Sequence, residues 1–117
     1  MSYKITRVNE SYNYEANNHF DVRTTRLHDP QDVNDGALTI GLSHFLPGGG
    51  CSFSNNPLES VYYIVEGEMT LTTDDEETVL RAGDSFHCGP HTNKGILNTG
   101  CVCTKMLVCL TNPNAGK

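Results

Sequence analysis

Five histidines and five cysteines are the side chains in this chain best suited to hold a metal ion or move a proton near neutral pH. His44, His87 and His91 form the histidine set from which a transition-metal centre would be built. His87 and His91 stand four apart in a strand-and-turn segment rather than on one helical face, and His44 lies on a separate strand, so nothing in the spacing fixes their convergence. Cys101 and Cys103 lie two apart on what reads as a strand, so both point to one face and do not pair with each other. An odd cysteine count without a recognisable framework reads as reduced thiols, buried or at an edge.

Short strands must position these groups. Leu38, Ile40, Leu42, His44 and Leu46 recur with the period of a half-buried strand, which places His44 on an apolar face. There it is either an acid–base group or a hydrogen-bonded core residue. Pro47-Gly48-Gly49-Gly50 predicts a turn that ends this strand. Val61-Tyr62-Tyr63-Ile64-Val65 is β-branched and aromatic, and Glu66-Gly67-Glu68 turns it into Met69-Thr70-Leu71-Thr72-Thr73. The acidic run Asp74-Asp75-Glu76-Glu77 reads as a solvated turn before Thr78-Val79-Leu80. Further strands are predicted over 85–88, 95–98 and 101–110, with weaker candidates over 3–8 and 20–27. No amphipathic helix, repeat or low-complexity linker interrupts them. Regular short strands joined by Gly, Pro and Asp turns predict an all-β antiparallel barrel or jelly roll.

A chain of 117 residues has room for one core and one site. The expectation is a single domain over 1–117, with a barrel core at about 20–111, a flexible tail over 112–117 and disorder over 29–36. Eight Lys and Arg against 14 Asp and Glu give a formal charge of −6, which argues against nucleic acid or an anionic membrane as partner. Residues 1–15 carry no apolar signal region, and no apolar run approaches the roughly 20 residues of a membrane helix. A soluble, cytoplasmic protein is expected.

The order Pro47-Gly48-Gly49-Gly50, Val61-Tyr62-Tyr63-Ile64-Val65-Glu66-Gly67-Glu68, Ala82-Gly83-Asp84 and Asn98-Thr99-Gly100 resembles the cupin superfamily, more narrowly its small single-domain members. The resemblance covers about residues 38–110. It implies a double-stranded β-helix (jelly-roll) barrel, a homodimer and, in most members, a divalent metal held by two His and a Glu of one motif and a His of another. Those positions fall here on Ser54, Asn56, Ser60 (with Glu59 one place away) and Lys94. None is a usual ligand, so no cofactor is expected, with the His44, His87 and His91 set as the alternative.

With the family's inward phase, Ser60, Tyr62 and Ile64 face the interior from one strand, and Lys94, Ile96 and Asn98 from another. His44 is expected to join them. The mouth then gathers His44, Ser54, Asn56, Tyr62 and Lys94, with Ser60, Glu59, His91 and Asn98 as further substrate-binding candidates. A polar cluster in an apolar cup is the usual form of a small-molecule pocket. An inward lysine is costly unless it is paired, neutral or at the solvent mouth. Its ammonium would stand roughly where the family keeps its metal and hold an anion or a developing enolate; snorkelling to solvent or pairing with Glu59 is the plainer account.

Two function classes follow. One is a metal-independent lyase, dehydratase or isomerase working next to a carbonyl, with His44 or Tyr62 moving the proton and Lys94 stabilising the anion. The other is a non-catalytic small-molecule binding or sensing cupin, and a metal-dependent enzyme with an unusual histidine set stands third. The partners expected are a small-molecule ligand and a second copy of the chain, but no nucleic acid and no membrane. His19-Phe20-Asp21-Val22-Arg23 is the candidate edge strand for pairing between subunits.

Overall fold

Glycine turns and β-branched runs fold this chain into a nearly closed antiparallel β-barrel in a computed structural model that describes residues 3–112. Its strands are β1 (Tyr12–Tyr14), β2 (His19–Arg26), β3 (Leu38–Ser54), β4 (Glu59–Glu66), β5 (Glu68–Thr73), β6 (Glu77–Arg81), β7 (Ser85–Cys88), β8 (Lys94–Leu97) and β9 (Thr104–Thr111). They hydrogen-bond in the order β6-β5-β8-β3-β9-β4-β7, while β2 also pairs with β3 and β1 pairs with β2. No helix among the described residues is long and apolar enough to cross a membrane.

The turn predicted at 47–50 does not end its strand. β3 runs on for 17 residues and passes from one partner to another: Leu38 to Phe45 lie opposite β9, whereas Gly50, Cys51 and Ser54 lie opposite β8. Glycine makes the passage by letting backbones approach. A Cβ at Gly49 would lie 2.2 Å from the Asp21 carbonyl oxygen, and one at Gly50 would lie 2.1 Å from that of Ile96. Gly48 takes the left-handed φ of +84° that glycine tolerates best.

Phe45, Ile64, Met69 and Met106 are buried together, with Val22, Tyr62, Leu80, Ile96 and Val108 packed against them. On β3, buried Gly41 and Ser43 precede Phe45, so the odd residues face inward. This overturns the expectation for His44. Ile40, Leu42 and His44 point outward, where Leu42 stands beside Leu107 and Thr25 in register and His44 beside Arg23 and Lys105. The apolar alternation is real, but it covers the outside of the sheet. There Val61 and Tyr63 of β4 also remain 45% and 43% exposed.

Other boundaries shift for local reasons. Residues 3–8 form no strand, β9 starts only at Thr104, and Cys101 and Cys103 therefore sit in a loop rather than on a strand face. Residues 29–36 fold into two single-turn 3-10 helices instead of being disordered, and the Asp29 carboxylate caps the first by accepting from the Gln31 N–H at 3.0 Å. Of the predicted tail, 113–117 lie outside the described residues, while the Asn112 N–H donates to the Ala37 carbonyl at 2.7 Å. β1 covers Thr24, Thr25 and Arg26 of β2, which leaves 19–23 paired with β3 on one side.

Candidate functional site

A cavity of about 380 Å³ opens beside the core, and Tyr62, Ile96 and Val108 belong to both. That volume suits a small molecule. Strand phase explains who enters it. Along β4, Ser60 is buried, Tyr62 lines the cavity and Ile64 enters the core, as alternation predicts. On β8, Lys94 and Ile96 line it. Ser43 enters from β3 in the place expected for His44. Ser54 and Asn56 also reach the cavity, so four of the predicted residues meet there: Ser54, Asn56, Tyr62 and Lys94.

Charge distinguishes this lining from the rest of the molecule. Arg26, Lys94 and His19 face the cavity, and among the described residues no Asp or Glu lines it. The Lys94 ammonium stands 5.0 Å from the centre of the Tyr62 ring, a cation–π contact, and Tyr62 stacks on Phe86 at 6.0 Å. Arg26 lies over the Tyr14 ring at 3.9 Å. Glu59, the partner foreseen for Lys94, instead accepts from His87 Nε2 at 2.6 Å on the exposed surface. Among the described residues, no carboxylate stands within ion-pair distance of Lys94.

The cavity also holds a pair that alternation does not reveal. His19 of β2 lies directly opposite Cys51 of β3, and both line the cavity. The register of β2 shifts between Phe20 and Val22, where Asp21 adopts a φ of +49°. With Asp21 alone set against residues 46–49 of β3, this irregularity reverses the phase of β2, so that His19 shares the inward face with Val22, Thr24 and Arg26 while Phe20 turns out. A second shift between Cys51 and Ser54 brings both of those residues inward. His19 Nδ1 donates to the Asn17 carbonyl at 2.7 Å, and the ring stacks on Phe45 at 6.3 Å.

The pair is electrostatically self-consistent. Desolvation opposes the Cys51 thiolate, but the hydrogen bond and charge of His19, the charge of Lys94 and the Ser54 hydroxyl outweigh it and hold the thiol below its usual range. Desolvation likewise opposes the His19 imidazolium, yet the bonds to Cys51 and the Asn17 carbonyl hold its pKa above the ordinary value.

The remaining predicted residues stand elsewhere. His44 is held below the usual histidine range by burial and then by the charges of Lys105 and Arg23, against Glu66, and its Nδ1 is buried without a hydrogen-bond partner. Asn98 is 1% exposed, and its amide donates to the carbonyls of Phe45 (3.1 Å) and Val102 (2.8 Å) rather than facing the cup. Ser60 is buried with its hydroxyl unpartnered. His91 is exposed at a φ of +61°, and its backbone N–H holds the Asn56 carbonyl at 2.8 Å.

Among the described residues, no three His, Cys, Asp or Glu side chains are grouped to hold a metal ion. His44 faces away from the cavity, His87 is engaged with Glu59, and His91 projects from a turn. Ser54, Asn56 and Lys94 bring a hydroxyl, an amide and an ammonium to the cup.

Comparison with known proteins agrees with the geometry. The profile of the cupin domain matches residues 41–109. A protein of Mycobacterium tuberculosis named beta-D-galactosidase is 32% identical over 112 residues, which cover 96% of this chain and 97% of that one. In fold, an RmlC-like cupin from Shewanella frigidimarina superposes with a TM-score of 0.77 at 19% identity, over 97% of this chain and 94% of its own. The polyketide cyclase RemF from Streptomyces resistomycificus superposes with a TM-score of 0.81 at 16% identity, over 94% of this chain and 80% of its own. From its barrel, its glycine-bent long strand and its sequence, this chain belongs to the cupin family.

Proposed function

We propose that this cupin takes a small carboxylate or enolisable carbonyl compound into its cup and moves a proton next to the carbonyl without a metal, as a lyase, dehydratase or isomerase does. The observation that carries this reading is the charge of the cavity: Lys94, Arg26 and His19 line it without a carboxylate, in a chain of net charge −6. Lys94 holds the oxygen on which negative charge resides or develops, in a half-enclosed site where such a contact is stronger than in water. Tyr62 lies against that ammonium and supplies a phenolic proton donor and acceptor. His19 takes the acid–base role expected of His44, because His19 is the histidine that reaches the cup.

Titration calorimetry with a panel of small carboxylates and neutral sugars, on the wild type and K94M, tests the binding step. The expected result is that carboxylates bind the wild type and lose at least about tenfold in affinity, about 1.4 kcal/mol, in K94M. The barrel's thermal midpoint should move little, because Lys94 stands outside the core cluster. Equal binding to both proteins overturns the assignment. Exchange of the ligand's α-hydrogen in deuterated water separates an enzyme from a binding or sensing module.

The relative named beta-D-galactosidase favours a second reading, a carbohydrate held by the amides and hydroxyls of Asn56 and Ser54 and by the rings of Tyr14 and Tyr62. Hydrolysis by a carboxylic acid pair would need two Asp or Glu residues about 5–10 Å apart across the bond. The described lining brings no such pair to the cup. Release of nitrophenol from a nitrophenyl galactoside, undiminished in K94M, would favour this reading over the first.

A further inference from the structure

We propose that Cys51 and His19 form a nucleophilic thiol site that adds covalently, and reversibly, to the electron-poor carbon of a small α,β-unsaturated carbonyl compound held in the cup. Of the five cysteines, Cys51 is the one that lines the cavity: Cys88 is buried, Cys101 and Cys103 are exposed in a loop, and Cys109 lies on another face. Its neighbour across the sheet is a histidine in direct register, and opposed Cβ atoms in an antiparallel pair stand about 4.5–5.5 Å apart. A third group orients that histidine. The Asn17 carbonyl only accepts, so Nδ1 carries the proton it donates at 2.7 Å and Nε2 keeps its lone pair, while the Cys51 thiol at rest donates to the Ser52 carbonyl at 3.7 Å and turns to His19 in the proposed step. Nucleophile, base and orienting acceptor are the parts of an activated thiol.

The step balances with no outside oxidant or reductant. His19 Nε2 takes the Cys51 Sγ proton. A sulfur electron pair forms the S–C bond at the β-carbon, and the carbon–carbon π pair shifts so that charge collects on the carbonyl oxygen as an enolate. Lys94 stands in the same cavity as the counter-charge for that oxygen. The His19 Nε2 proton then passes to the α-carbon and leaves a thioether. The reverse sequence expels the thiolate, and rotation about the former double bond before expulsion returns the other geometric isomer. Depressed thiol and elevated imidazole pKa values favour the ion pair from which addition starts. The thiol pair stands on its own geometry; only the enolate contact rests on the anion-binding role proposed for Lys94.

The full chain treated with limiting N-ethylmaleimide between pH 5 and 9, with labelled cysteines located by peptide mass mapping, tests the pair. Cys51 should react at least tenfold faster than exposed Cys101 and Cys103 near pH 6–7. In H19Q its rate should fall at least tenfold and take on the pH dependence of Cys101, while buried Cys88 stays unlabelled and reports an intact fold. Labelling of Cys51 no faster than Cys101 at every pH overturns the proposal. So does an H19Q rate equal to that of the wild type. The wild-type profile alone upholds or overturns the pair even where H19Q does not fold. Maleate, followed by NMR for addition and for conversion to fumarate, extends the test to an anionic acceptor. Because the charge of Lys94 also helps hold the Cys51 thiol down, K94M should slow maleimide labelling somewhat, and a larger loss in maleate addition supports both the thiol pair and the anion site. Fast maleimide labelling in the wild type, with K94M slowing maleate addition no more than maleimide labelling, upholds the thiol pair and overturns the role of Lys94 as counter-charge.

Discussion

Lys94 and Asn98 stand four residues apart and share the inward phase of one strand line, yet they use their polar atoms in opposite ways. The Asn98 amide is spent on three backbone partners, the carbonyls of Phe45 and Val102 and the Gly100 N–H, which its oxygen accepts at 3.0 Å. Thr104 behaves alike at this end and donates to the Glu68 carbonyl at 2.6 Å. At the open end, Lys94 touches a ring face and keeps its hydrogen-bonding capacity for whatever enters the cup. A buried polar group is tolerated when it is satisfied, and closed-end residues therefore act as joints between strands. Polar groups gathered at a cavity without being satisfied are the ones with chemistry to offer.

Three substitutions press on that contrast. Phe45→Ala should have the largest effect, a loss of about 3–5 kcal/mol in chemical denaturation, because it empties a fully buried aromatic site. The His19 ring stacks on Phe45, so the variant should also slow the labelling of Cys51; an unchanged rate would show the two ends to be independent. Asn98→Ala comes next, at about 2–3 kcal/mol, because it strands the buried Phe45 carbonyl and the part-buried Val102 carbonyl. Affinity for a cup ligand should survive it, and a large loss of affinity would return Asn98 to the site. His44→Gln should be smallest and visible in its pH dependence. The folded pKa lies below the unfolded value of 6.5, so wild-type stability is complete above that value and declines as pH falls through it. Thermal midpoints at pH 8 and pH 5 should therefore favour the variant by a margin that grows on the acid side. A margin independent of pH contradicts the orientation given to His44.

Much of this contrast was legible in the amino acids. The strands near 61–65, 69–73 and 85–88 follow from β-branched and aromatic runs between glycine turns, and period-two alternation correctly sent Tyr62 and Lys94 to the cup and Ile64 to the core. It failed wherever the period was broken or doubled. Ile40 and Leu42 are apolar on the outer face, so hydrophobicity alone assigned His44 the wrong side. The shift at Asp21 reverses the count on β2, which hid His19, and the even phase read for β3 hid Cys51, an odd residue like Phe45. An Asp between Phe20 and Val22 was the only local hint, since Asp enters the left-handed region more readily than most residues.

The long strand that serves both partners also sets the order in which this molecule comes into being. Leu38 faces Thr111 and Phe45 faces Thr104, while the far half of the same strand awaits β8. A ribosome must therefore deliver the residues as far as Thr111 before the strand that organises the barrel can be paired on both sides. Closure comes late, from contacts distant in sequence, and the nascent chain must keep its open edges from other chains until the last strand arrives.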